Sequence, residues 1–156
     1  GERTILLKMF KEEFKVDDFK DIVPKVYHEV TSTKIASLSK LVFSAAELGD
    51  KVAIRILERA GEELGEAALA IAKKIFAEDE PIIIGASGGV FKAGKIVWLS
   101  FKRYVSNFLP EASFIPPIAY PVVGALIMGY RNLGINVNER GKDILLRNLE
   151  REITNL

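Results

Sequence analysis

Apolar residues recur every three or four positions over most of the first half of the chain, a spacing that predicts amphipathic helices. Residues 3–15 form the first such stretch. Two short helices are predicted next, because Pro24 would interrupt a longer helix and suits the first position of the second one. The segment from Lys34 to Leu48 is the next predicted helix. Gly49 is expected to end it, with Asp50 as the N-cap of its successor.

The strongest helical pattern covers residues 51–77. Its predicted apolar stripe consists of Val52, Ile56, Ala60, Leu64, Ala68, Ile71 and Ile75. Gly61 and Gly65 lie about one turn apart in the same segment, although glycine costs about 1 kcal/mol relative to alanine in a helix interior. Two explanations stay open: close packing of a second helix, or the approach of a flat ligand ring to the backbone.

Beyond residue 80 the pattern alternates between strands and helices. Pro81 to Ile84 is a short, apolar, β-branched run that predicts a buried parallel strand. A helix over residues 90–109, a second extended piece over 112–118 and a small-residue helix over 122–132 follow. A polar amphipathic helix with Asn138 as its cap closes the chain. The predicted parts are a helical part at 1–78, a strand–helix–strand–helix part at 81–134 and a C-terminal helix at 138–154.

This order predicts an α/β, helix-rich chain with about two parallel strands. Two strands make a poor sheet by themselves. A wholly apolar strand also expects neighbours on both sides and layers on both faces. The pattern therefore favours a part of a larger α/β domain.

Composition and charge exclude several classes of function. Lys and Arg total 22 against 21 Asp and Glu, a net charge of +1 that gives no general attraction to nucleic acid or anionic lipid. The absence of cysteine and the single histidine exclude cysteine and histidine-cluster metal sites. No apolar run reaches the roughly 20 residues that a membrane-spanning helix needs. The prediction is a cytoplasmic protein without a nucleic-acid or membrane partner.

The junction at residues 82–95 carries the most informative candidate chemistry. Gly88 and Gly89 follow a predicted buried strand, so backbone amides there can approach a ligand closely, and a helix beginning there favours an anion or a polar ring. Ligands of open α/β sheets lie at the carboxyl ends of strands. The glycine spacing matches neither the G-x-G-x-x-G fingerprint nor a P-loop. A ligand-binding loop and a plain tight turn both remain open.

Three blocks occur in order: K-I-A-S-L to A-G-E-E-L at 34–64, I-I-I-G-A-S-G-G-V-F-K at 82–92, and P-V-V-G-A-L-I-M-G-Y at 121–130. The second block is similar to a "G-G-V-F/W-K/R-S" adenosine motif and the third to a closing "P-x-x-G-A-x-x-x-A" helix. Together they resemble the C-terminal part of the N-acetylglucosamine kinase family, which includes the BadF/BadG-type ATPases. That family belongs to the actin–hexokinase–chaperone ATPase superfamily. The resemblance covers roughly residues 1–135.

The resemblance implies part of a ribonuclease-H-like, actin-like ATPase domain, with residues 1–156 as one C-terminal nucleotide-binding segment. The implied parent is an ATP-dependent carbohydrate kinase that uses Mg²⁺ and transfers the γ-phosphate of ATP to a sugar hydroxyl. The family's catalytic Asp and its two phosphate loops, of the D-G-G-T and G-T-G-S types, lie upstream of the matched region. No catalytic or metal-binding residue is therefore expected in this chain.

Carried onto this sequence, the resemblance implies five nucleotide-binding positions. Gly88, Gly89 and Val90 would lie against the adenine and ribose, and Lys92 takes the place of the Lys or Arg that follows in the family. Gly61 would form a wall of the adenine pocket. The sequence departs from the family in a longer glycine-rich lead-in before Gly88, which leaves the adenine contacts open.

The partners implied by the resemblance are a nucleotide, a small sugar, the N-terminal half of the same enzyme and a second copy in a homodimer. Two alternatives keep the same fold. One is a non-catalytic interaction domain whose exposed apolar edge another chain would cover. The other is an ATPase that activates a redox enzyme, a branch that usually carries iron–sulfur cysteines, which this chain lacks.

Overall fold

The structure is a computed structural model that describes residues 2–29, 31–77, 80–92, 94–116 and 121–154. The helices are α1 (Leu6–Phe14), α2 (Ile22–Glu29), α3 (Ser32–Ser37), α4 (Ser39–Glu47), α5 (Lys51–Ile75), α6 (Gly89–Lys92), α7 (Lys95–Ser106), α8 (Pro121–Asn132) and α9 (Glu139–Thr154). The strands are β1 (Ile83–Gly85) and β2 (Ser113–Ile115), which run parallel. The prediction of a helix-rich chain with two parallel strands is confirmed.

The chain divides into two compact units. The first comprises residues 1–82 and 93–112, and it contains α1 to α5 together with α7. The second comprises residues 83–92 and 113–156, with both strands and the helices α6, α8 and α9. The sequence division grouped α7 with the strands, whereas in the structure α7 packs against α5.

The predicted helix from Lys34 to Leu48 is wrong as a single helix, because α3 and α4 are separate and a turn at Leu38 lies between them. Serine hydroxyls on both sides of Leu38 bond to backbone carbonyls. Ser37 donates to the carbonyl of Lys34 and Ser39 to that of Ala36, each at 2.7 Å. Such side-chain bonds compete with the regular helical ladder and favour a break.

Two other predicted helix boundaries also differ. The expected helix over 90–109 is two helices, since Gly94 adopts extended backbone (φ −178°, ψ 151°) immediately before α7. Pro24 is the third residue of α2, which begins two residues earlier than expected after a 3-10 turn at Phe19–Asp21. A first-turn position suits proline, because the amide hydrogens there have no partner within the helix.

The α5–α7 contact forms most of the first unit's core. The buried residues of α5 are Ala53, Leu57, Gly61, Gly65, Leu69 and Ala72. The apolar stripe that predicts this helix is not its buried face, because Ile56 is 46% exposed and Ile75 is 67% exposed. The residues that face α7 include both glycines, whose small size allows the two helix backbones to approach closely.

Helix α7 contributes three buried apolar residues to this core. Val97 and Val105 are fully buried, and Phe101 is 4% exposed. The same face includes one buried polar residue, Ser100, whose hydroxyl donates a 2.7 Å hydrogen bond to the carbonyl of Glu58 on α5. That bond satisfies the buried hydroxyl and joins the two helices directly.

Asp50 caps α5, as predicted, and also holds the segment that leads into α1. One carboxylate oxygen accepts the backbone amides of Val52 and Ala53 at 2.9 Å, and the other accepts the amide of Ile5 at 2.7 Å. The pKa of Asp50 lies below its usual value, mainly because of the Ala53 amide and further because of Ile5, Thr4 and Val52. The ionised carboxylate therefore stabilises the folded state.

The Asp50→Ala substitution is expected to lower the melting temperature at pH 7 by roughly 2–8 °C, because the cap of α5 is lost. A carboxyl group with a lowered folded-state pKa contributes stability above its unfolded pKa and loses that contribution as the pH falls through the folded value. The difference between the two proteins should therefore shrink below about pH 4. Thermal melts at pH 7, 5 and 3 measure this difference in melting temperature. Asp17→Ala, which removes an exposed carboxylate, is the control. An equal difference at all three values would contradict the charged-cap explanation.

The parallel sheet belongs to the second unit. Ile83 pairs with Ser113, Ile84 with Phe114 and Gly85 with Ile115. The strand that the sequence predicts as buried is buried only in part, because Ile83 is 67% exposed. β2 ends before Pro116, which has no amide hydrogen for a ladder. The end of the predicted strand, residues 117 and 118, lies outside the described residues.

The two C-terminal helices follow the sequence prediction closely. α8 covers the predicted small-residue helix, and Val123 on it is buried. Asn138 caps α9, accepting the amide of Gly141 at 2.9 Å. In the part of the chain that the structure describes, no helix is long and apolar enough to cross a membrane.

Candidate functional site

The candidate site is the loop at the carboxyl end of β1, residues 86–88, which leads into α6. The backbone of Gly88 has φ +109°, a conformation that residues other than glycine adopt only with strain. A Cβ atom at Gly88 would meet no described atom within 4 Å. The glycine is therefore required by the backbone turn and not by crowding around it.

The surface of this loop is open. Gly89 is exposed, and a Cβ atom there would also meet no described atom within 4 Å. Val90, the next residue, is 39% exposed. Packing within the described part of the chain thus gives no reason for glycine at position 89. A glycine pair in this place leaves the backbone amides accessible to a molecule that approaches from outside.

The helix that begins at the glycine pair is short, since α6 has four residues where the sequence predicted a long helix. A helix dipole sums over aligned peptide units, and a single turn supplies little of it. The loop therefore offers backbone amides and a neutral surface in place of the anion-favouring helix end that the sequence predicted. Lys92 is the last residue of α6, and its side chain lies outside the described part of the chain.

Gly61 lies in the other unit, in the buried face of α5. A Cβ atom there would lie 2.5 Å from the carbonyl oxygen of Val97 and 2.8 Å from Cβ of Ser100. At Gly65 the nearest atom would be Cδ1 of Tyr104, at 2.9 Å. Close packing of a second helix, one of the two explanations considered, accounts for both glycines. The assignment of Gly61 to the wall of an adenine pocket stays a prediction.

Acidic groups do not converge into a metal site in the described residues. No three His, Asp or Glu side chains there lie in an arrangement that could hold a metal ion. No residue of the described ranges is therefore assigned to metal binding.

Sequence reasoning passed over Ser87, which it treated only as part of the lead-in to the glycine pair. The signal was present in the composition of the loop. Among residues 85–91, Ser87 has the only side chain with a polar atom.

Comparison with known proteins finds a family match and two curated relatives. The BadF/BadG/BcrA/BcrD ATPase family matches residues 7–129. The N-acetylmuramic acid/N-acetylglucosamine kinase of Clostridium acetobutylicum is 28% identical over 129 residues, which cover 82% of this chain and 42% of that protein. The N-acetyl-D-glucosamine kinase of Dictyostelium discoideum is 26% identical over 133 residues, which cover 82% of this chain and 41% of that protein.

The chain thus spans about two-fifths of the length of the curated relatives that it matches. The family match includes α5 with Gly61, the whole of β1 and the loop up to Lys92. It covers well over half of the chain, so the family resemblance predicted from the three sequence blocks is confirmed. This protein belongs to the BadF/BadG/BcrA/BcrD ATPase family.

Proposed function

We propose that this chain is the adenosine-side, C-terminal portion of an ATP-dependent sugar kinase of the N-acetylglucosamine kinase type. The intact enzyme would transfer the γ-phosphate of ATP to a sugar hydroxyl, with Mg²⁺ as cofactor. Family membership supports the use of ATP. The two relatives, both kinases of N-acetylated amino sugars by name, support the class of acceptor.

The observation that carries the proposal is the open glycine loop at the carboxyl end of a parallel strand. Gly88 turns the chain with a positive φ, and neither Gly88 nor Gly89 has a described neighbour where a Cβ atom would lie. Within the described residues, a flat ring can therefore approach the two glycines without a side chain at either Cβ position. Val90 supplies exposed apolar surface next to the glycines for the face of the adenine.

The chain's own residues take part in nucleotide binding only. Gly88, Gly89 and Val90 contact the adenine and ribose, and Lys92 lies at the end of the same short helix. The catalytic base, the phosphate loops and the carboxylates for Mg²⁺ belong to the N-terminal half of the same enzyme. Two domains then close over the nucleotide and exclude water from the transfer.

The Gly88→Val substitution is expected to weaken ADP binding roughly tenfold or more, because a β-branched residue cannot hold φ +109° and the loop must move. Calorimetric titration of Mg-ADP into the chain measures the change. Gly134→Val is the matched control, since Gly134 also has positive φ (76°) but lies in the turn between α8 and α9. Equal losses in both variants, or unchanged binding in Gly88→Val, would contradict the proposal.

A non-catalytic interaction domain is the second candidate, and the outward face of α5 favours it. Ile56, Ile71 and Ile75 on this helix are between 46% and 67% exposed. Such a row of large apolar side chains favours contact with another protein surface. Saturable binding of Mg-ADP to the chain, lost in Gly88→Val, would contradict this candidate and support the first one.

A further inference from the structure

The second half of α5 has an exposed apolar face, which we call the distal face and which consists of Leu64, Ala68, Ile71 and Ile75. The two isoleucines are 57% and 67% exposed, and Leu64 is 37% exposed. Spacings of four, three and four residues place all of them on one side of the helix. The buried row with Gly61, which α7 covers, lies about a quarter of a turn away.

Helix α4 is too short to cover the distal face. It packs against α5 and is joined to its start by the turn at residues 48–50. Its nine residues span about 13 Å, whereas the 25 residues of α5 span about 37 Å. Leu64 lies about 20 Å from the start of α5, which is beyond the length that α4 can cover.

Opposite charges flank the two ends of the distal face. Glu63 and Lys74 are both exposed, and both lie on the side of the face that points away from α7. Glu63 pairs at 3.0 Å with Arg59 of its own helix, an exposed contact of the kind that contributes little to stability. Lys74 has no ion pair within the described ranges.

This arrangement is complementary to itself in antiparallel order. A two-fold axis level with Ala68 brings the same side of two α5 helices together, with their ends exchanged. Glu63 of each copy is then level with Lys74 of the second copy, because the two residues are equally far from the axis. Ile71 of one copy is level with the space between Leu64 and Ala68 of the other, so a large side chain meets a small one.

Parallel order lacks this charge match. A two-fold axis along the helices would turn the side with Glu63 and Lys74 of one copy toward the α7 side of the other. Neither charge would then lie beside its opposite on the second α5 helix.

We propose that the distal face of α5 is the interface of an antiparallel dimer of this chain, with reciprocal Glu63–Lys74 ion pairs at its two ends. The inference goes beyond the proposed function, since it does not depend on nucleotide binding. An interface of one helix from each copy is at the low end of the size range, so the dimer is expected to dissociate at about 1–100 µM.

Sedimentation equilibrium of the 17.3 kDa chain between about 1 and 500 µM tests the proposal. The original chain should approach twice its monomer mass, and Ile71→Glu should weaken the dimer tenfold or more by placing a charge in the apolar seam. Leu99→Glu is the matched control, because Leu99 is 59% exposed but lies on α7, outside the distal face. Melting temperatures measured at 1 µM check that each variant is folded.

A charge exchange tests the antiparallel order. Glu63→Lys and Lys74→Glu should each weaken the dimer roughly 3–30-fold, because each places two pairs of like charges side by side. The two substitutions in one chain should restore dimerisation, because the ion pairs form again with exchanged charges. Lys73→Glu changes the net charge as Lys74→Glu does, but on the opposite side of α5, so it should alter dimerisation by less than about twofold.

Each contrary outcome overturns a stated part of the inference. A monomeric mass up to 500 µM would overturn the dimer and leave the distal face to a different protein surface. A dimer that Ile71→Glu does not weaken would overturn its placement on α5. A dimer that Ile71→Glu weakens, but that the doubly exchanged chain does not restore, would overturn the antiparallel order. None of these outcomes bears on the titration of Mg-ADP, so the proposed function is tested separately.

Discussion

Replacing Gly61 with alanine is expected to lower the free energy of unfolding by about 2 kcal/mol or more, although alanine is the better helix former. The added Cβ atom would lie 2.5 Å from the carbonyl oxygen of Val97 and 2.9 Å from the amide nitrogen of Phe101. Both of these atoms belong to the backbone of α7, so no side-chain rotation relieves the overlap. The two helices must separate, and the gain of about 1 kcal/mol in helix propensity does not offset the lost packing.

Two alanine substitutions test the cause. Gly65→Ala places its Cβ atom 2.9 Å from the ring of Tyr104, a side chain that can turn, so the loss should be smaller than at Gly61. Gly124→Ala on α8 meets no described atom within 4 Å, and it should raise stability by up to about 1 kcal/mol. Urea denaturation measures all three. A Gly61→Ala protein as stable as Gly124→Ala would show that α7 does not lie against Gly61.

Replacing Phe101 with alanine is expected to lower the free energy of unfolding by about 3–5 kcal/mol. The ring is 4% exposed and stacks on Trp98, with ring centroids 5.7 Å apart and an angle of 17° between the planes. Removing it leaves a cavity beside the α5–α7 contact, where backbone atoms pack too closely to refill the space.

Phe108→Ala is the matched control for Phe101→Ala, because it deletes the same side chain just beyond the end of α7. Phe108 is 56% exposed, although it contacts Tyr104 with a centroid distance of 5.4 Å. Phe108→Ala should lower the free energy of unfolding by about 1 kcal/mol or less. Similar losses in the two variants under urea denaturation would contradict the placement of the core between α5 and α7.

The helix N-caps and the parallel strands could be predicted from local sequence. Asp50 and Asn138 cap α5 and α9, because a carboxylate or amide oxygen reaches the first free amides whatever the tertiary setting. The short β-branched run before the glycines gave a strand, since such residues suit a pleated backbone. The glycine loop could also be predicted from local sequence, because a strand followed by two glycines implies a sharp turn with an open backbone.

The buried face of α5 could not be predicted in this way. The hydrophobic spacing marks a row whose isoleucines, among them Ile56 and Ile75, are exposed, and it passes over the buried row that contains the two glycines. A glycine contributes almost nothing to a hydrophobic pattern, yet it decides how closely a second helix approaches. The division of the predicted helix over 90–109 could not be predicted either. Glycine allows both helical and extended backbone, so the sequence does not indicate that Gly94 is extended and separates α6 from α7.

The sequence by itself determined the order of helices and strands apart from the two divided helices, and also the caps, the family and the glycine pair after β1. These depend on neighbouring residues and on ordered motifs. The tertiary structure decided that α7 covers Gly61 and that α6 is a single turn. Each of these depends on which distant backbone lies against a small or polar residue. Local propensity carries no information about that contact, since it arises only when the helices and strands pack.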